Sequence, residues 1–106
     1  MKTGIIISTS DAETCWNALR YARHAISKGD EVKVFFMGKG VEYVKTSTEK
    51  FNSVEEAKRF MQQKGMIYAC GTCIKSRNQE KMNICPISTL DDLHNLVQEC
   101  DNILTF

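Results

Sequence analysis

Long hydrophobic runs are missing from this sequence, so no segment approaches the ~20 apolar residues that cross a bilayer as a helix. A charge excess is missing too. Fourteen Lys and Arg against thirteen Asp and Glu leave a net charge of +1. That balance gives no electrostatic ground for direct nucleic-acid binding or for an acidic membrane surface. No G-x-G-x-x-G or P-loop pattern occurs, so a nucleotide site lacks its phosphate cradle. The two histidines, His24 and His94, fit no Ser/His/Asp arrangement. A second pair of closely spaced metal-binding residues is absent, which speaks against a structural zinc site. Repeats, low-complexity stretches and linkers are also absent. The 106 residues therefore read as one domain, 1–106, near the usual size for a single core.

What remains is an ordinary globular composition, 42% apolar and 25% charged. Met1-Lys2 leads straight into Gly4-Ile5-Ile6-Ile7. That run is too short for a signal-peptide core and has no small-residue cleavage site, so a cytoplasmic protein is expected. The five cysteines, Cys15, Cys70, Cys73, Cys85 and Cys100, are odd in number. A secreted disulfide scaffold has an even count in a loop-rich chain. Here the elements are long and regular, so reduced thiols are expected.

Apolar periodicity divides the chain into alternating strands and helices. Gly4 to Ser8 is a β-branched run fit for a strand buried on both faces. Ser10 with Glu13 forms a capping-box pattern for a helix from about Asp11, with Ala12, Cys15, Trp16, Leu19, Ala22 and Ile26 inward and Lys28-Gly29 at its end. Val32 to Phe36 is a second strand. Met37 to Gly40 is a loop, and Val41 to Lys45 one or two helical turns. Ser53 with Glu56 opens a helix whose inward face is Val54, Ala57, Phe60 and Met61. Met66 to Cys70 is a third strand, followed by a short helix from Thr72 or Cys73 to about Asn78. Asn83 to Pro86 is a brief fourth strand. Thr89 to Asp92 opens a last helix with Leu90, Leu93, Val97 and Cys100 inward, and Asn102 to Phe106 is a fifth strand. Such alternation predicts βαβ units, a parallel sheet and helices on both faces.

The chemistry concentrates where the third strand meets its helix. Met66 to Ala69 is apolar; Gly71 breaks the run; Cys70 and Cys73 flank the break at C-x-x-C spacing; Lys75 and Arg77 follow. In a parallel sheet this junction lies at the carboxyl edge of the strands, where ligands collect. A thiol there gains reactivity from helix N–H groups and nearby cations. Cys70 is expected as the nucleophile on an open edge, with Cys73 assisting and Gly71, Thr72, Lys75 and Arg77 supporting. The loops Ser8-Thr9-Ser10 and Gly38-Lys39-Gly40 should emerge on the same edge and line a pocket or bind an anion. Against this stands packing, since cysteine is a common buried filler. Two further alternatives are a zinc site from Cys70, Cys73, Cys85 and His94 or Cys100, and thioredoxin-type disulfide exchange. Cys15 and Cys100 read as core, Cys85 as mainly structural, and both histidines as solvated.

In order and spacing these segments resemble the DsrE/DsrF-like family of small sulfur-relay proteins. The resemblance rests on Ile5 to Thr9, on Ala22 with Gly29 and the Val32 to Phe36 strand with Gly38, on Tyr68 to Cys73 with Arg77, and on Ile87 to Leu93 through Ile103 to Phe106. It implies a three-layer α/β/α sandwich around a five-stranded parallel sheet, and homotrimers or homohexamers. It further implies sulfane sulfur held as a persulfide on a cysteine that maps to Cys70. Sulfur-donor and sulfur-acceptor proteins would be the partners, with no metal or cofactor required. Cys73 departs from relatives that have a single thiol here; a second thiol would resolve a persulfide into a disulfide and release sulfide. Some relatives lack the cysteine, which keeps open a non-catalytic, oligomeric module that binds a ligand or protein at the strand edge.

Overall fold

A computed structural model describes residues 1–77 and 87–106. The fourth strand expected at Asn83 to Pro86, the helix end at Asn78, and Cys85 lie outside the described residues. Strands β1 (Lys2–Ile7), β2 (Glu31–Phe36), β3 (Met66–Cys70), β4 (Ile87–Ser88) and β5 (Asn102–Thr105) alternate with helices α1 (Ala12–Ser27), α2 (Tyr43–Thr46), α3 (Ser53–Gln62), α4 (Gly71–Ser76) and α5 (Leu90–Glu99). A 3-10 helix, Gly38–Glu42, leads into α2. The strands pair in parallel in the order β4-β3-β2-β1-β5. Four of them, each four to six residues long, make the body of the sheet, and β4 adds two residues at one edge. This is the α/β arrangement the alternation predicts. Among the described residues no helix is long and apolar enough to cross a membrane.

The chain steps from β1 outward to β4 and then returns to the other side of β1. A reversal of direction moves the crossover helix to the opposite face, because such connections share one hand. Accordingly, α1 and α3 bury Cys15, Ala18, Leu19, Ala22, Ala57 and Phe60 against Ile5, Ile7, Val34, Phe36 and Ile67 on one face. On the other face α5 lays Leu96 into a smaller cluster with Phe35 and Cys70.

Several helix faces differ from the periodicity reading. Both N-caps lie one residue from the expected position: Asp11, not Ser10, caps α1 by accepting from the Thr14 N–H at 2.9 Å, and Asn52, not Ser53, caps α3 by accepting from the Glu55 N–H at 3.0 Å. Ser53 is instead the first buried residue of α3, and its hydroxyl donates to the Ala12 carbonyl. In α3, Glu56 replaces Met61 on the inner face, where its carboxylate meets the Arg23 guanidinium at 2.8 Å and ties α3 to α1; Met61 is exposed. Thr89 does cap α5 in a complete capping box with Asp92.

The inward stripe of α5 is also rotated. Leu96 is 2% exposed, whereas Leu90 is 67% and Val97 43% exposed. Gly4 explains the rotation. A side chain there would stand 2.6 Å from the Leu96 side chain and 3.2 Å from the Cys100 sulfur, so α5 docks where β1 offers no bulk. The Lys33 ammonium and Glu99 carboxylate pair across the same interface. In urea denaturation Leu96→Ala should therefore destabilise the protein by roughly 2–5 kcal/mol. Val97→Ala should change stability by less than about 0.5 kcal/mol.

Candidate functional site

The parallel register of β1, β2 and β3 brings three carboxyl ends to one edge. Met37 N–H donates to the Ile7 carbonyl at 3.0 Å, which locks the exit of β2 to the end of β1. Gly40 then lies so close to β1 that a Cβ would sit 2.1 Å from the Ile7 carbonyl oxygen, so only glycine fits. Tyr43 stacks on Phe36 with ring centroids 4.1 Å apart and holds the segment from below. These three contacts fix the position of Gly38, whose N–H donates to Cys73 Sγ at 3.2 Å.

β3 passes into α4 without an intervening loop. Cys70 is both the last strand residue and the N-cap of α4, and its side chain makes no cap hydrogen bond. Alternation along β3 sends Ile67 and Ala69 toward α1 and α3, and Cys70 toward Phe35 and Leu96. Cys70 is only 6% exposed. The expectation of an open Cys70 is thus corrected: the strand's own period turns it inward under α5. Cys73, one helical turn on, is half-buried and is the more accessible thiol. The two thiols pack into one cluster, with Cys73 against the buried Cys70.

The electrostatics centre on Cys73. Burial, and then the neighbouring Cys70 thiol, push its pKa up; the Gly38 N–H and the Arg77 charge pull in the opposite direction. Arg77 caps α4. Its guanidinium donates to the Cys73 carbonyl at 3.2 Å and to the Glu42 carboxylate at 2.9 Å. The cation expected to support Cys70 is therefore shared with Glu42 and acts on Cys73. Glu42 was not singled out in the sequence, where it sits inside an unremarkable helical turn.

Gly71 is buried, while Thr72 and Lys75 are exposed. The loop after β1 is occupied otherwise than by the thiols. Ser8 donates its N–H to the Phe106 carbonyl at 2.9 Å. Thr9 accepts from the Asp11 N–H at 3.1 Å through its hydroxyl and from the Cys15 thiol at 3.2 Å through its carbonyl. Ser10 is half-buried and Lys39 exposed. Of the two loops expected to line a pocket, then, Gly38 reaches a thiol and Gly40 packs on β1. His24 and His94 are exposed, as expected, and Cys15 is fully buried. Cys100 is half-buried at the end of α5. Among the described residues no three His, Cys, Asp or Glu side chains gather as a metal site.

Thiol titration separates these environments. In iodoacetamide alkylation read by peptide mass spectrometry, Cys73 should react with a midpoint above the ordinary thiol value of ~8.5. Arg77→Gln should move that midpoint further up, because the cation that favours the thiolate is gone. Cys15, pushed up to about 11 by burial and then by the Asp11 charge, should stay unmodified at neutral pH.

Comparison with known proteins bears on the fold and the family. The chain matches the DsrE/DsrF-like family over residues 1–106. It is 31% identical over 114 residues to the uncharacterized protein MJ0989 of Methanocaldococcus jannaschii, with 100% of both chains covered. It is 33% identical over 100 residues to the uncharacterized protein MK0008 of Methanopyrus kandleri, covering 89% of this chain and 83% of that one. Its fold matches the crystal structure of the ychN protein from E. coli with a TM-score of 0.81 over 100% of both chains, at 21% identity. The chain belongs to the DsrE/DsrF-like family.

Proposed function

We propose that this protein is a small cytoplasmic sulfur carrier, sulfurtransferase-like in its chemistry, that holds sulfane sulfur as a persulfide on Cys70. The observation that carries the reading is the packed thiol pair at the end of β3, with the Gly38 N–H on its outer member. Family membership supports it. In the transfer step the Cys70 thiolate attacks the outer sulfur of a donor protein's persulfide. A new S–S bond forms on Cys70, and the donor's own S–S bond breaks with its electron pair leaving on the donor thiolate. A nucleophile on an acceptor protein removes the sulfur in the same way. The burial of Cys70 suits a carrier, since a persulfide beside Phe35 and Leu96 is shielded from stray thiols.

Brief exposure to a small-molecule persulfide donor, followed by alkylation and intact mass measurement, tests the reading. Wild-type protein should gain the mass of one sulfur atom, and Cys70→Ser should gain none. Undiminished uptake by Cys70→Ser removes Cys70 from the role. Absence of uptake by the wild type, with no Cys70–Cys73 disulfide formed, leaves the non-catalytic module.

The same reading includes self-association as a trimer or hexamer, with donor and acceptor proteins as the other partners and neither nucleic acid nor membrane contacted directly. Exposed apolar side chains on the α5 side support it: Leu90 and Val97 outward on the helix, Ile103 on β5 and Met66 on β3. Light scattering on the wild type should give a mass of three or six chains, and Leu90→Glu with Val97→Glu should lower it. A monomeric wild type at micromolar concentration overturns this part.

A further inference from the structure

The two thiols are unequal in a way that single-thiol carriage leaves unused. Cys70 is nearly sealed, whereas Cys73 is half-buried, packs against the cluster that holds Cys70 and accepts from the Gly38 N–H. Their positions at the N-cap and third residue of α4 set them one helical turn apart, within reach of a disulfide.

We propose that Cys73 is the resolving thiol of this site, so that the persulfide on Cys70 ends as a Cys70–Cys73 disulfide with sulfide released, and a dithiol reductant resets the pair. The inference rests on persulfide formation at Cys70. In the resolving step the Cys73 sulfur attacks Cys70 Sγ, the inner atom of the persulfide. The Cys70–Cys73 bond forms, and the bond to the outer sulfur breaks with its electron pair leaving as hydrosulfide. The proton lost by Cys73 balances that hydrosulfide as hydrogen sulfide. The sulfane sulfur is thereby reduced by two electrons, and the two cysteines are oxidised by two.

The environment of Cys73 fits this role. Its raised pKa keeps it protonated and quiet while Cys70 accepts sulfur. The Gly38 N–H and the Arg77 charge stabilise the anion at the moment it forms. In the disulfide Cys73 is the more exposed sulfur, so an incoming dithiol attacks there and Cys70 leaves as thiolate. Two dithiol sulfurs are then oxidised to their own disulfide, and both protein thiols return. Sulfane sulfur that no acceptor protein removes is thus released as sulfide, for a reaction that consumes sulfide.

The experiment loads the full chain with a small-molecule persulfide donor, removes the donor, and follows sulfide release and the mass of the peptide spanning residues 65–75. In the wild type one sulfide should appear per loaded chain, while the peptide loses the added sulfur and two hydrogens. Cys73→Ser should keep the persulfide and release sulfide at least about tenfold more slowly. A wild type that retains its persulfide without forming the disulfide overturns the proposal, and that result needs no variant to fold. Equal sulfide release by Cys73→Ser overturns it as well. Failure of both proteins to load any sulfur overturns the carrier reading beneath it, a result distinct from loading without release.

Discussion

The in-register parallel pairing of β1, β2 and β3 is the constraint from which the site follows. Ile7 stands opposite Phe36, and Phe36 opposite Ala69, so three strands finish level with one another. Each must then leave the sheet at the same height, and the three exits compete for one small volume. The second exit settles against the first because Gly40 removes every side-chain atom that would keep them apart. That leaves the Gly38 N–H without a strand partner and turned to the third exit, where a sulfur is the acceptor. The thiol pair is therefore defined by backbone level, with little contribution from long polar side chains.

Charge plays a smaller part than the run of basic residues after Cys73 suggests. Lys75 is exposed, and an exposed ammonium is screened within about 10 Å at ordinary salt. Arg77 divides its donors between the Glu42 carboxylate and the α4 backbone, so its field at the sulfurs is partly offset by a carboxylate. A single short backbone donor outweighs both in geometry, since its direction is fixed by Tyr43, Gly40 and Met37 at no further entropic cost. A site of this kind tolerates replacement of a lysine better than any displacement of the loop after β2.

The strands and the order of elements were legible in the sequence because β-branched runs and helical periodicity are dense signals; Met66 to Cys70 came out with its ends in place. The helix faces were less legible. Capping reads as a pattern of residue types, and at α1 the carboxylate of Asp11 outcompetes the neighbouring Ser10 hydroxyl, being the stronger acceptor for the Thr14 N–H. The rotation of α5 depends on a glycine ninety residues away, which no window along α5 contains. The inward turn of Cys70 was in principle readable: counting by twos from Tyr68 puts both residues on one face of β3. The glycine break and the basic run that follows carried more weight in the sequence than this alternation. Glu42 gave no signal, because its role exists only once α4 and the turn after β2 are side by side.

The unequal burial of the two sulfurs bears on what a carrier must avoid. A persulfide is useful only while its outer sulfur survives long enough to be delivered, and any thiol within reach shortens that time. A family role that needs intact sulfane sulfur is served by one shielded thiol. This chain keeps the shield, through Phe35, Leu96 and the roof that α5 forms over Cys70, and then packs a second thiol against the same cluster. Cys73 packs against both core clusters and accepts the Gly38 N–H, and a serine hydroxyl is also an acceptor for that N–H. What serine lacks is the ability to take the Cys70 sulfur in a covalent bond. The property that distinguishes the residue present at position 73 from its nearest substitute is therefore redox chemistry, and the geometry points that chemistry at Cys70.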